Sequence, residues 1–310
     1  MRKYFYFALC LSASAMFFTT GCKNKTTNPL VDSIFSVDSS SNAEIENDTL
    51  KTEIITVDKK HPLSADGEKA ITFSANICYP VNEDNSKIAQ IIRDWTSKRL
   101  AYCTQSGEDK PKLYAGDNKK GKLMTEHYMR TYIKQSKEEI NEFVSLNDGA
   151  SEEDMLLSYE YDIRTSKMYE DNDYITFLSN VYSYAGGAHG STDIDFLPIN
   201  KHTNKAIGWT DLFDKKDFNK IMKLVRAKFV KQFKKEWNDD FDDVLILDEE
   251  QRKKGLPMPA TSPGLSISGV EFLYNQYEIA CYAAGVLSVT IPYAELESYL
   301  KPEIKAILIK

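Results

Sequence analysis

Histidine, cysteine, serine and carboxylate spacing decides which chemistry a chain can do. This one has four histidines, His61, His127, His189 and His202, and none forms an HxxxH or HExxH pair. A zinc site needs three or four convergent ligands, and the chain also has no CxxC pair. No metal site and no cofactor are therefore expected. The run Gly264-Leu265-Ser266-Ile267-Ser268-Gly269 comes close to a nucleophile elbow, but Ser268 stands where that strained turn requires glycine. Asn238, Asp240, Asp242 and Glu249 are spaced like the oxygen ligands of a calcium loop, with Asp243 where the sharp turn needs glycine. A solvated acidic helix end is the better reading there. Any two carboxylates can meet in space, so an acid-pair hydrolase stays open as an alternative, with no particular pair indicated. The chain is read as non-catalytic.

The most distinctive local feature is Tyr184-Ala185-Gly186-Gly187-Ala188-His189-Gly190. Three glycines in five residues imply positive φ or close backbone approach, hence a constrained turn. No helix follows to offer amides to a phosphate. Two readings remain: a tight hairpin whose His189 caps neighbouring backbone, or a rigid, aromatic-flanked contact loop. Tyr184, Gly186, Gly187 and His189 are the candidate partner-binding residues. Pro257, Pro259 and Pro263, in the loop 255–264, join them because prolines preset a loop and lower the entropy cost of binding.

The elements that would carry these loops follow from periodicity. Strands are expected at Glu53–Asp58 and Ile71–Tyr79. A helix is expected at Ser86–Cys103, where Ile88, Ile91, Ile92 and Trp95 share one face, and another at Lys122–Leu146. Alternation from Met155 to Ile163 predicts a half-buried strand, and Tyr174–Tyr184 and Thr192–Pro198 read as the two arms of a hairpin. Asp214 or Asp217 is expected to cap a helix carrying Phe218, Ile221, Met222, Val225, Phe229 and Phe233. Strands near Leu265–Tyr274 and Val286–Pro292 and a short helix at Tyr293–Leu300 complete the body. The fold class is α+β: a mostly antiparallel sheet with helices packed on one face, in two intimately packed subdomains, 51–190 and 191–310.

The N-terminus speaks of location. Arg2 and Lys3 precede an apolar stretch, Tyr4–Phe18, that ends in Thr19-Thr20-Gly21-Cys22. Residues 1–21 read as a signal peptide, and Cys22 as a lipidation site in a lipobox-like setting whose Thr19 replaces the usual Leu. A membrane partner through the lipid anchor follows, on the periplasmic face or the outer surface. Residues 22–50 are polar and read as a flexible tether. Losing Arg2 and Lys3 from a chain of net charge −7 leaves −9. Such a body repels nucleic acid, so none is expected as partner, and it attracts cationic proteins. Cys78, Cys103 and Cys281 remain in the body; Cys78 with Cys103 is the possible disulfide, and three buried thiols packing as small apolar groups is the equal alternative.

The Tyr-Ala-Gly-Gly-Ala-His-Gly turn, the Trp209-Thr210-Asp211-Leu212-Phe213 turn before a helix, and the closing Tyr277-Glu278-Ile279-Ala280, Gly285 and Val289-Thr290-Ile291-Pro292-Tyr293 occur together in order. This resembles the paired extracytoplasmic domains of unknown function found in lysozyme-sensing anti-sigma factors and beside some peptidoglycan deacetylase domains. The resemblance implies a receptor-like domain whose loops enter the cleft of lysozyme, with catalysis, where present, belonging to a separate domain. A cell-wall-related partner is expected, such as a lysozyme-type hydrolase. Alternatively, the tyrosines and tryptophans serve a glycan- or peptidoglycan-binding module.

Overall fold

The computed structural model describes residues 49–105, 110–146, 158–238 and 240–309, the side chain of Cys103 excepted. Cys22 lies outside the described residues, as do the expected signal peptide and nearly all of the tether.

A six-stranded sheet runs in sequence order, β1 to β6: Thr52–Pro62, Ala70–Pro80, Tyr159–Glu170, Tyr174–Ala185, Ser191–Asn200 and Lys205–Ala206. Neighbours are antiparallel except β2 and β3, which are parallel. A parallel pair needs a long crossover. Two helices supply it here, α1 (Lys87–Thr104) and α2 (Gly121–Leu146). Ser86 caps α1 by accepting from the Ala89 amide at 3.1 Å. The expected strand from Met155 begins at Tyr159, and residues 151–157 lie outside the described residues.

Side-chain alternation divides the sheet cleanly. Ile175 and Phe177 of β4 and Leu197 and Ile199 of β5 pack under α1, against Ile88, Ile92 and Trp95. Phe73, Ile77, Tyr161 and Ile163 lie on the same side under α2, with Met124, Tyr128 and Tyr132. The opposite face is wet over β1 to β3, where Ser74 bonds Asp58 and Arg164 pairs with Asp162. Over β4 and β5 it is covered: Leu178, Ile194 and Phe196 meet Leu273 of the C-terminal region.

That region holds a three-stranded antiparallel sheet, β7 (Gly264–Ser266), β8 (Gly269–Tyr274) and β9 (Leu287–Ile291). Short helices α3 (Trp209–Leu212), α5 (Phe241–Val244), α6 (Glu249–Lys254), α7 (Tyr293–Leu296) and α8 (Pro302–Leu308) surround the long α4 (Phe218–Glu236). Ile221, Met222, Val225, Phe229 and Phe233 of α4 form one buried stripe, and Phe229 stacks on Phe241 at 5.1 Å. Neither Asp214 nor Asp217 caps α4 through its side chain; Asp217 instead pairs with Lys220 at 2.8 Å. The final helix α8 was not expected from the sequence.

The division between residues 190 and 191 falls inside the β4–β5 hairpin, since β5 pairs along its whole length with β4 and the sheet extends to Ala206. The glycines form the tip of that hairpin, the tight turn that their spacing predicts. Cys78 is a free, buried thiol packed among Ile92, Ile175 and Phe177, which agrees at this position with the packed-thiol alternative to a bridge, while the side chain of Cys103 lies outside the described residues. Cys281 is also free and half-buried. Among the described residues no helix is long and apolar enough to cross a membrane.

Candidate functional site

The Gly-rich turn is the five-residue tip between β4 and β5. Gly186 and Gly187 have φ of 69° and 116°, a backbone region that costs a side chain. The Tyr184 hydroxyl donates to the Gly187 carbonyl at 3.0 Å and ties the tip to its own strand. At Gly190 the constraint is space: a side chain there would have to displace the Tyr182 ring. A Cβ there would lie 2.4 Å from the Tyr182 hydroxyl oxygen.

His189 is exposed and stacks on Tyr282 with ring centroids 3.6 Å apart. Its Nδ1 lies 3.2 Å from the Gly190 carbonyl, which can only accept, so Nδ1 carries the proton. Nε2 is then the acceptor for the Tyr277 hydroxyl at 3.3 Å. His189 thus engages neighbouring backbone, as a tight hairpin requires, and it also lies within an aromatic group.

Tyr277 and Tyr282 come from the loop between β8 and β9. Tyr277 has φ of 65°, rare for a bulky residue, and its side chain is 54% exposed. The loop is clamped to the first sheet by its preceding polar residues. Asn275 accepts from the Ile194 amide at 2.8 Å and donates to the Ile194 carbonyl at 2.9 Å, while Gln276 accepts from the Thr192 amide at 2.8 Å. Asn275 thus reproduces the paired bonds of a neighbouring strand with one side-chain amide.

Glu278 links this loop to the proline loop, accepting from the Asn275 amide at 3.0 Å and the Ala260 amide at 2.7 Å. Burial raises its carboxyl pKa above the ordinary value, against the opposing pull of those two amides. The proline loop is itself pinned. Tyr274 donates to the Pro257 carbonyl at 2.6 Å, Trp209 to the Thr261 carbonyl at 2.7 Å, and the Ser262 amide to Asp195 at 3.1 Å.

Of the residues expected to contact a partner, Tyr184, Gly186, Gly187 and His189 are brought together at the hairpin tip. Pro257 is exposed, but Pro259 and Pro263 are buried and anchor the loop from below. They are support and not contact surface. Asn275, Gln276, Tyr277, Glu278 and Tyr282 were missed as site residues. Their contacts with the hairpin span more than 80 positions of sequence. The visible signal was the polar pair Asn275-Gln276 directly after a strand buried along its whole length.

The other candidates resolve simply. Ser266 and Ser268 sit at the β7–β8 hairpin, with the Ser268 amide donating to the Ser266 hydroxyl at 3.2 Å. Asp240 caps α5 and Asp242 holds Arg226 at 2.5 Å, so the acidic run is a helix start plus an ion pair. No group of three or more potential metal-binding side chains occurs among the described residues.

The class these features define is an α+β protein of two packed regions joined by side-chain clamps, with an aromatic group exposed at the joint. Residues 67–192 match the family model described as deacetylase PdaC, and residues 210–294 match that of a protein of unknown function, DUF3298. Both matches fall in the part of the chain whose motifs carry the resemblance, one after the other and in the same order. A solved structure of a DUF3298 family member from Bacteroides fragilis has a TM-score of 0.60 at 20% identity, covering 84% of this chain and 98% of that one. A DUF3298 family protein from Pseudomonas aeruginosa gives 0.57 at 17% identity, covering 83% and 97%. These likenesses establish the fold. No curated protein matches the chain.

Proposed function

We propose that this chain is a lipid-anchored envelope protein, held through Cys22, that binds a cell-wall-related partner without catalysis of its own. A lysozyme-type hydrolase is the partner we favour. The observation that carries the reading is the preformed aromatic face at the joint: exposed His189 stacked on Tyr282, with Tyr277 held in a strained backbone conformation beside it. Strain of this kind persists where the surroundings over-determine it, and it gathers at ligand clamps. Rigid aromatics offer contact area at little entropic cost.

Three further facts support the reading. Both matched families are consistent with an envelope-associated domain of unknown function. The net charge of −7 favours encounter with a cationic protein. The hydrogen bonds of two histidines are structural: His189 engages Gly190 and Tyr277, and His202 engages Asp173. The name deacetylase attached to one family model is not carried over as an activity.

The test is direct. Micromolar purified protein should slow lysozyme turnover and shift its mobility, and His189→Ala should weaken both effects. Unchanged lysozyme activity and mobility would end the lysozyme reading. The exposed tyrosines also favour a second one, stacking on the sugar rings of peptidoglycan. Co-sedimentation with purified sacculi distinguishes it. Turnover of muropeptide mixtures would overturn the non-catalytic reading, and a Cys22→Ala variant that still fractionates with membranes would overturn the anchor.

A further inference from the structure

The six-stranded sheet ends on β1, and among the described residues no strand pairs with the outer side of β1. The strand is 11 residues long, and its register with β2 runs unbroken from Thr52 to Pro62, so no bulge twists the edge away. Every second residue therefore turns its backbone N–H and C=O outward. A regular edge of this length is a template for another strand.

Charge ordinarily blunts such an edge, and β1 carries Glu53, Asp58, Lys59 and Lys60. Two features make these charges selective. They cancel within the strand, in a chain of net charge −7, so two acidic copies repel each other least along this stretch. They are also segregated: Glu53 stands near one end and the lysines near the other, while Asp58 is held by Ser74 on the wet face. Lys137 of α2 reinforces the cationic end, where burial, Lys137 and Lys59 together lower the pKa of His61.

An antiparallel pair of identical strands has its two-fold axis perpendicular to the sheet, so residues of one face meet residues of the same face. Glu53 and Lys59 share by alternation the face of Ile55 and Val57, which α2 covers. An axis through Thr56 sets Glu53 opposite Lys59 of the second copy, and Ile55 opposite its Val57. Shifting the axis loses that match. About Ile55, Glu53 faces Val57; about Val57, Glu53 faces His61 and Ile55 faces Lys59. We propose that β1 is a homodimer interface, in which two copies pair β1 to β1 about Thr56 and join their sheets. One strand pair buries less than the roughly 1,200 Å² at which standard interfaces begin, so the association is weak in dilute solution. Neither the anchor nor the partner-binding reading is needed for it.

The probe is Thr56→Cys in the full chain, with Cys281→Ser to remove the half-buried native thiol. At the two-fold the two introduced residues have Cα atoms about 4.5–5.5 Å apart, inside the roughly 4.4–6.8 Å that a disulfide spans. Mild oxidation should give a dimer on a non-reducing gel. Ile54→Cys, on the same face, sets its Cα atoms roughly 14 Å apart and should give at least about tenfold less. Adding Glu53→Lys or Lys59→Glu to Thr56→Cys should cut the dimer at least roughly fivefold, and the two together should restore it. All four positions are exposed, so these variants fold. Equal yields from Thr56→Cys and Ile54→Cys, or no recovery in the charge-swapped pair, overturns the proposal. Hydrogen exchange is a second readout: β1 amides should gain protection as concentration passes a Kd on the order of 100 μM. Protection that is the same at about 1 μM and about 1 mM means that the edge stays open or is covered by the chain itself, and overturns it too.

Discussion

The two regions of this molecule solve the same problem in different ways. From Thr52 to Ala206 the sheet order is the sequence order, each strand lies beside the one before it, and α1 and α2 cover a single face. From Ile207 onward the strands are short, and the core gathers around α4 with contributions from four small helices, α3, α5, α7 and α8, and the loops between them. Periodicity orders the first region. Distant contacts order the second. The exposed aromatic group stands where the two meet, with His189 from a regular hairpin and Tyr277 and Tyr282 from an irregular loop.

If each region has its own core, damage to one should leave the other standing. Phe229→Ala, at the centre of the C-terminal core, should cost about 3–5 kcal/mol and split unfolding by calorimetry into an early C-terminal step and a later one. A single transition displaced as a whole would show that the regions are one cooperative unit. The clamp is the next place to press. Asn275→Ala strands the Ile194 amide and carbonyl at the joint and should cost about 1–3 kcal/mol, with hydrogen exchange rising at Ile194 and Thr192 ahead of the sheet interior.

Glu271 tests the seam by pH. It lies on central strand β8, 5% exposed, bonded to Thr290. Burial raises its pKa above the ordinary carboxylate value. The folded protein therefore holds a proton that the unfolded chain releases once pH passes about 4.3. Stability falls as pH rises from there until the folded group itself ionises. Glu271→Gln should raise Tm at pH 8 and leave it unchanged at pH 4, and a gain of equal size at both would refute this account. The smallest effect belongs to His189. Because it is exposed, His189→Ala should alter stability by no more than about 0.5 kcal/mol, so a loss of binding in that variant reports on contact and not on folding.

The sequence was most readable where one periodicity ran unbroken. Ile88, Ile91, Ile92 and Trp95 placed α1 within a residue, and the stripe on α4 predicted its buried face in full. Legibility failed where register across the chain decides. The parallel pairing of β2 with β3 leaves no mark in either strand, because both read as alternating or continuous apolar runs. Half of the candidate site was visible for the same reason that half was hidden. Three glycines near a tyrosine announce a constrained turn, whereas nothing in Asn275 or Gln276 says which backbone, more than 80 residues away, their amides will meet. Pro259 and Pro263 misled because rigidity was taken for exposure, and a rigid loop can equally be one that is fastened down.

The Asn275 and Gln276 clamp has a consequence for how this protein behaves among its neighbours. The outward amides of β5 at Thr192 and Ile194 would otherwise form an unpaired strand edge, open to the backbone of another chain. Two side chains from the C-terminal region fill those positions, so that stretch is closed without a further strand being built. For a protein proposed to crowd on a membrane surface, the same two residues that assemble the site also guard against sheet-to-sheet aggregation.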